Sequence, residues 1–394
     1  MPAWSVPRAA VSPQPTGPVS GPGGLASELL RMGRRSGLAA VGIASAGVFE
    51  PTRVDLVERR KRGLHGGMQF TYRNPERSTD PDRLLPGARA LVVGAWGYRR
   101  RSDEGPRDGE PRDRGAPGGG TAGPRGEVAR YARRDHYASL RRALEALAAH
   151  LRAAGWRATV VCDDNALVDR AAAHRAGLGW YGKNSLILLP GLGSWFVLGS
   201  VVTDAPIAPD LPEEPAPPAA GCGSCERCRT ACPTGALVEP GVLDANRCLA
   251  WLVQSPGSFP VEHRRALGGR VYGCDECQQV CPINRLAERR NRPPSPEPDT
   301  EPAVDLLALL AASDDELLRT HGRWYIPERD PRYLRRNALV ALGNVGDGAD
   351  PRTRQTVERW MAVDDPMIAE HARWSAAELG LDTAGDDPRG VPDR

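Results

Sequence analysis

CGSCERCRTACP (222–233) and CDECQQVCP (274–282) hold seven of the nine cysteines of this 394-residue chain. The first run has the spacing C-x2-C-x2-C-x3-C-P, the second C-x2-C-x3-C-P, and Cys248 lies between them. Successive C-x2-C turns wrap backbone around one corner of an iron–sulfur cube, and the cysteine before proline ligates the other cluster in two-cluster ferredoxins. The pattern therefore assigns Cys222, Cys225, Cys228 and Cys281 to one [4Fe-4S] cluster, and Cys232, Cys248, Cys274 and Cys277 to a second. Zinc also accepts four thiolates at C-x2-C spacing, but the long run ending in Cys-Pro is far more specific. Crowded thiols of this kind in an intracellular chain read as metal ligands rather than disulfides. Clusters alone say only electron transfer, so the chemistry lies elsewhere in the chain.

Working outward, the composition excludes several classes. A net charge of +3 from 52 basic and 49 acidic residues is no polycation, so nucleic-acid binding would need a local patch. Only Lys61 and Lys183 of those 52 are lysine, so an arginine-rich stretch here is weak evidence for phosphate binding. No apolar run reaches the roughly 18 residues of a membrane-spanning helix. The N-terminal residues lack the apolar core of a signal peptide, and a cytoplasmic protein is expected.

Proline- and glycine-rich stretches divide the chain. Residues 1–24 read as a disordered tail, 100–127 as a flexible insert, and 205–220 and 285–303 as linkers on either side of the cysteines. The expected units are 25–215, 216–290 and 304–382, with a tail at 383–394. The first unit mixes helices and strands. ALVVGAW (90–96) and TVVC (159–162) read as strands, and Leu140, Leu144, Leu147 and Leu151 mark a helix that Gly155 stops. SLILL (185–189) and WFVLGSVV (195–202) suggest a hairpin across the turn at 190–194. The class is α+β. In the third unit, 335–344 and 366–379 read as two amphipathic helices joined by a charged connection, resembling one unit of a helical-repeat stack.

The stretch 162–204 is dense in glycine, aromatic and polar residues, with Gly177, Gly179 and Gly182 around Trp180 and Lys183. GLGWYG (177–182) matches the dinucleotide fingerprint in letters only, because it follows a helix pattern rather than a strand. Cys162 reads as a buried structural thiol.

Taken in order, VGIASAGVF (41–49), GMQFTYRNPERSTDPDRLLPGA (67–88), ARYARRDHY (129–137), RAGLGWYGKNSL (175–186), GSWFVLGSVVTD (193–204), GGRVYGCDECQQVCPIN (268–284) and LRRNALVALGN (334–344) resemble the epoxyqueuosine reductases. The resemblance covers most of residues 25–345. It implies a base-off cobalamin in a reductive-dehalogenase-like first domain, two [4Fe-4S] clusters in a ferredoxin-like domain, and HEAT-like helices at the C-terminus. It also implies reduction of epoxyqueuosine to queuosine in the anticodon stem-loop of tRNA, electrons from a low-potential donor such as ferredoxin or flavodoxin, and a monomer.

The family's proton donor lies fourteen residues before the glycine of its R/K-A-G-L-G-W motif, which lands on Asp163. Residues matching the family's cobalamin-binding motifs are Arg73, Tyr131, Gly182, Lys183, Ser185 and Asp275, with Asp163 beside them. His136 is a candidate near the substrate, and Arg133, Arg134, Arg335 and Arg336 for RNA backbone. Four features depart from the family: Asp164 beside the donor, CLAWLVQSPG (248–257), which is shorter by one and lacks the usual Glu and Lys, the 100–127 insert, and the repeat region after Asn344. Two other readings share the redox motifs. A small-molecule cobalamin reductase needs no tRNA, and a ferredoxin-type carrier leaves 160–204 unexplained.

Overall fold

The computed structural model describes residues 22–98, 123–208, 220–290 and 302–381. Most of the N-terminal tail, nearly all of the 100–127 insert, and the C-terminal tail at 383–394 lie outside the described residues.

ALVVGAW is continuous in apolar residues because its strand, Ala90–Gly97, is covered on both faces. It sits inside a four-stranded sheet in the order Ala40–Ser45, Ala90–Gly97, Phe196–Thr203, Ala158–Val161, every neighbouring pair antiparallel. Side chains alternate across a strand. Ala90 and Val92 face helices Pro22–Arg35 and His136–Ala153, packing with Leu29, Leu140, Leu144 and Leu147. Leu91, Val93 and Ala95 face helix Asp169–Arg175, packing with Ala171, Ala172 and Ala173. The result is helix, sheet, helix, with a mixed composition as the sequence pattern implied. Cys162 is buried in the first of these cores, where burial pushes its thiol up to about 11.

The expected hairpin across 190–194 does not form. Ile187–Leu188 pairs with Trp180–Tyr181, whereas Phe196–Thr203 pairs inside the main sheet, and only Leu189 and Gly193 bridge the turn. The turn has another task. Gly193 has φ +68, and a Cβ there would lie 2.1 Å from Asn284 Oδ1. Asn284 in turn accepts the Ser194 N–H at 2.7 Å. Glycine lets the turn press against the cysteine-bearing segment.

A second sheet joins three parts of the chain. Arg125–Val128, whose first residues were assigned to the insert, is its central strand, parallel to Arg270–Tyr272 and antiparallel to Ala303–Asp305. Gly126 is required there, since a Cβ would meet Val271 at 2.4 Å. The C-terminal helices pack on this sheet through Leu306, Leu310, Leu334, Ala338 and Leu342 against Val128, Val271 and Tyr272.

The connection between the two expected C-terminal helices is itself helical. Arg332–Val345, Pro351–Met361 and Pro366–Glu378 follow one another. Asp350 and Asp365 cap the second and third, each followed by proline at the start of the helix.

Candidate functional site

Cys222, Cys225, Cys228 and Cys281 line one cavity of about 190 Å3, together with Lys183, Asn184, Leu188 and Ile283. Burial, then the thiols of Cys222 and Cys281, push the Cys228 thiol up to about 11. Cys232, Cys248, Cys274 and Cys277 form a second neighbourhood. Cys248 feels Cys232, while Cys277 feels Cys274 and Cys248, in each case after burial. Burial pushes Cys274 up to about 12, with Arg270 opposing. Among the described residues no three Cys, His, Asp or Glu side chains close on a single-ion point; the first four thiols ring a cavity.

Backbone donors already aim at sulfur. The Ala236 N–H donates to Cys232 Sγ at 3.2 Å, and the Ala250 and Trp251 N–H groups act on Cys248. Such donors favour thiolate and tune a bound cluster. The first set is the outer one, flanked by exposed Gly221, Gly223 and Ser224. The second is inner, with Cys274 packed against the core of Leu249, Leu252, Phe259 and Val340.

Asp163 follows strand Ala158–Val161 and Cys162 with φ +52, a left-handed conformation that Asp tolerates at a cost. Asp163 is exposed, with protein atoms crowding its surroundings. That crowding raises its pKa, Arg141 opposes, and Asp164 adds repulsion. Asp164 itself is exposed and accepts the Ala166 N–H at 2.8 Å, so it shapes the turn.

Asp169 stands beside them and went unnoticed in the sequence, where an acid in the first turn of a helix has an ordinary explanation. Its carboxylate accepts the backbone N–H of Asp163, and burial raises its pKa well above the carboxylate range. Its Oδ1 is buried without a protein partner. Tyr137 and Tyr272 also feel Asp163, and Tyr131 packs against Tyr272 at 6.4 Å between ring centroids. A carboxyl whose pKa is raised holds its proton to higher pH than a free aspartate and can act as a general acid toward a substrate oxygen.

Other expected residues divide. Ser185 has φ +65 and a buried, unpartnered Oγ, and its carbonyl accepts from Arg170 at 2.7 Å. A Cβ at Gly182 would meet Asn184 Oδ1 at 2.7 Å. Tyr131 Oη accepts from Gln254 at 3.3 Å. Arg73 is exposed at the end of a one-turn helix, Phe70–Arg73. Lys183 is placed on the first cysteine cavity, paired with Glu226 at 2.5 Å.

Asp275 is buried between two ligand candidates. It accepts the Arg130 N–H at 2.7 Å and a Gln278 N–H at 3.3 Å. Gln278 then accepts from Tyr98 and Ser194, so this polar chain ties the first unit to the cysteine segment. Gln278 carried no signal in the sequence.

His136 is buried, its ring 5.4 Å from that of Tyr98. Two of the four arginines expected at RNA backbone are internal instead. Arg335 is buried, paired with Asp314 at 2.6 Å and donating to the Ala312 carbonyl. Arg336 is fully buried and donates to the carbonyls of Leu252, Ser255 and Gly257. With Asn337, which donates to Val253 O at 2.8 Å, it pins the segment that follows Cys248. Arg133 is half-buried and donates to Val128 O at 3.0 Å. Arg134 is also half-buried.

Residues 221–284 match the family model of a 4Fe-4S double cluster binding domain, which spans all eight clustered cysteines. The chain is 32% identical to an epoxyqueuosine reductase of Bacillus cereus over 92% of this chain and 91% of the relative. The chain belongs to the epoxyqueuosine reductase family. A Bacillus subtilis reductase is 33% identical over 90% of this chain and 88% of its own. A crystal structure of epoxyqueuosine reductase with an epoxyqueuosine-modified tRNA-Tyr stem loop matches with TM-score 0.77 and 32% identity, covering 91% of each chain. The reductase from Streptococcus thermophilus matches with TM-score 0.76 and 27% identity, over 93% of this chain and 94% of that one. Membership makes the chain an oxidoreductase with an iron–sulfur domain. No helix among the described residues is long and apolar enough to cross a membrane.

Proposed function

We propose that this reductase removes the epoxide oxygen of epoxyqueuosine in the anticodon loop of tRNA, leaving queuosine. The observation that carries the reading is the shared fold with the reductase solved on an epoxyqueuosine-modified stem loop. The unstacked bases of such a loop suit a pocket enzyme. Loss of the oxygen as water consumes two electrons and two protons.

The two thiol sets fit [4Fe-4S] clusters, with Cys222, Cys225, Cys228 and Cys281 holding one and Cys232, Cys248, Cys274 and Cys277 the other. The buried, unpartnered Ser185 Oγ and Asp169 Oδ1 near the Asp163 turn fit a bound polar cofactor. Ser185, Gly182 and Tyr131 would hold the cobalamin there. When bound, the clusters supply single electrons and the cobalamin supplies the reduction of the carbon–oxygen bond. The chain's own part is positioning and protonation. Asp163, its pKa raised by the surrounding protein, donates to the leaving oxygen, and Asp169 holds the Asp163 backbone in its left-handed turn. A Bacillus subtilis reductase has been seen with its aspartate catalytic loop swung out of the active site, which supports a loop that must be held in place.

The test is nucleoside mass spectrometry after anaerobic incubation of epoxyqueuosine-bearing tRNA with reconstituted protein, cobalamin and a low-potential reductant. Loss of one oxygen mass, absent in Asp163→Asn, is the expected result. Unchanged tRNA from protein that retains its clusters and corrinoid overturns the reading.

A further inference from the structure

The outer thiol set is bordered by a surface feature that the proposed protonation does not use. A hollow of about 460 Å3 lies between helix Arg227–Thr230 and helix Pro282–Arg290, lined by Glu226, Arg227, Thr230, Ala231, Val280 and Arg285. Four of its six lining residues adjoin a ligand candidate in the chain. Glu226 and Arg227 lie between Cys225 and Cys228, Ala231 precedes Cys232, and Val280 precedes Cys281.

Among the described residues its charge is one-sided. Glu226 is neutralised by Lys183 at 2.5 Å and Arg229 at 2.7 Å. Glu288, on the second helix, is paired with Arg130 at 2.8 Å. Arg227 is exposed and Arg285 half-buried at the hollow, and exposed Arg289 and Arg290 follow one turn further along the same helix. Leu286 is 42% exposed among them. A basic rim with one apolar spot beside a half-exposed redox centre suits a small, transient contact steered by charge.

We propose that this hollow is the docking site for an acidic one-electron carrier protein that reduces the outer cluster. The proposal rests on reading the outer thiol set as a redox centre. Each encounter moves one electron from the reduced carrier to the oxidised centre, with no bond made or broken and no proton transferred. An RNA partner is disfavoured here, because the hollow is lined by residues of the cysteine loops and includes neither Asp163 nor Asp169.

The experiment is stopped-flow bleaching of the cluster absorbance of the reconstituted full chain by reduced flavodoxin, with reduced methyl viologen as comparison. The variants are Arg227→Glu/Arg285→Glu and the milder Arg227→Gln/Arg285→Gln. Charge steering is worth roughly 10–10³-fold in rate. We expect the charge reversal to slow flavodoxin at least about tenfold at low salt, the Gln pair to slow it less, and both to approach wild type at high salt. Reduction by the viologen cation should not fall. An unchanged flavodoxin rate overturns the proposal, as does an equal fall with flavodoxin and viologen in the Gln pair. Weakened tRNA affinity with normal flavodoxin kinetics overturns it in favour of an RNA surface. Bleaching is read without tRNA, so normal reduction alongside unchanged epoxyqueuosine would sink the proposed function and leave the docking site standing.

Discussion

Replacing Arg336 by methionine tests whether the C-terminal helices serve the iron–sulfur chemistry or merely cover it. Arg336 is fully buried, and burial lowers its pKa to about 10. That fall from the ordinary arginine value means the charge costs about 3 kcal/mol where it sits. Against this stand bonds to three carbonyls of the segment after Cys248: Leu252 at 2.9 Å, Ser255 at 2.8 Å, and Gly257. Bonds made by a charged donor contribute about 1.5–3 kcal/mol each, so three give about 4.5–9 kcal/mol. The net loss on substitution is about 2–6 kcal/mol, concentrated on 252–257. Methionine restores volume but leaves these carbonyls without their donor. Cys248, directly before this segment, is the ligand that should loosen. The assay is iron content and thermal melting of anaerobically purified protein, with electron paramagnetic resonance to tell the two clusters apart. Iron should fall from two clusters toward one, with the outer cluster kept, and Arg336→Lys should fall between, since an ammonium lacks the planar fork. Full iron with an unshifted melt would refute the buttress argument.

Three further outcomes follow from other parts of the molecule. Asp163→Asn should reduce turnover about 10²–10⁴-fold; in the wild type, turnover should decline as pH rises through the raised pKa of Asp163. Arg141→Gln removes the opposing charge and should move that limb to higher pH, Asp164→Asn to lower pH, and a pH–rate profile that ignores both sinks the assignment. His371 accepts the Phe259 N–H at 3.0 Å, and burial, with Arg264 adding, lowers it to about 4. The unfolded chain therefore takes up its proton first as pH falls, so about 3 kcal/mol present above pH 6.5 is lost toward pH 4. Melts at pH 7.5 and 5 should differ less in His371→Gln, and equal differences would count against it. Gly193→Ala places a Cβ against Asn284 in a left-handed turn, costing at least about 1–2 kcal/mol from the backbone alone. Urea unfolding that matches wild type would contradict the role given to this turn.

Much of the molecule could be read from local pattern. Cysteine spacing needs no tertiary information to announce iron–sulfur chemistry, because C-x2-C turns satisfy one cube within a few residues. Cys281, fifty-three residues beyond Cys228, lines the same cavity as Cys222, Cys225 and Cys228. Strand Ala90–Gly97 and helix His136–Ala153 were legible because burial on both faces, or on one helical stripe, leaves a periodic trace. Asp163 was reachable only through the family resemblance, since one acid at a strand end looks like any other. Its pairing with Asp169, whose carboxylate accepts the Asp163 N–H, carried no trace at all.

The failures share one cause. A turn such as 190–194 looks like a hairpin locally, yet its glycine is set by Asn284, ninety-one residues away. Arg335 and Arg336 look like a basic surface in an arginine-rich chain, and only the packing of helix Arg332–Val345 on 252–257 turns them inward. The end of the supposed insert becomes the central strand of a sheet shared by three segments, because Gly126 admits Val271 and Leu306 against its backbone. The sequence alone determined the iron–sulfur chemistry and the local elements, which depend on neighbours within a few residues. Tertiary structure decided which side chains face the reaction and which brace it, because burial and hydrogen bonding across distant segments give otherwise similar acids and arginines different roles.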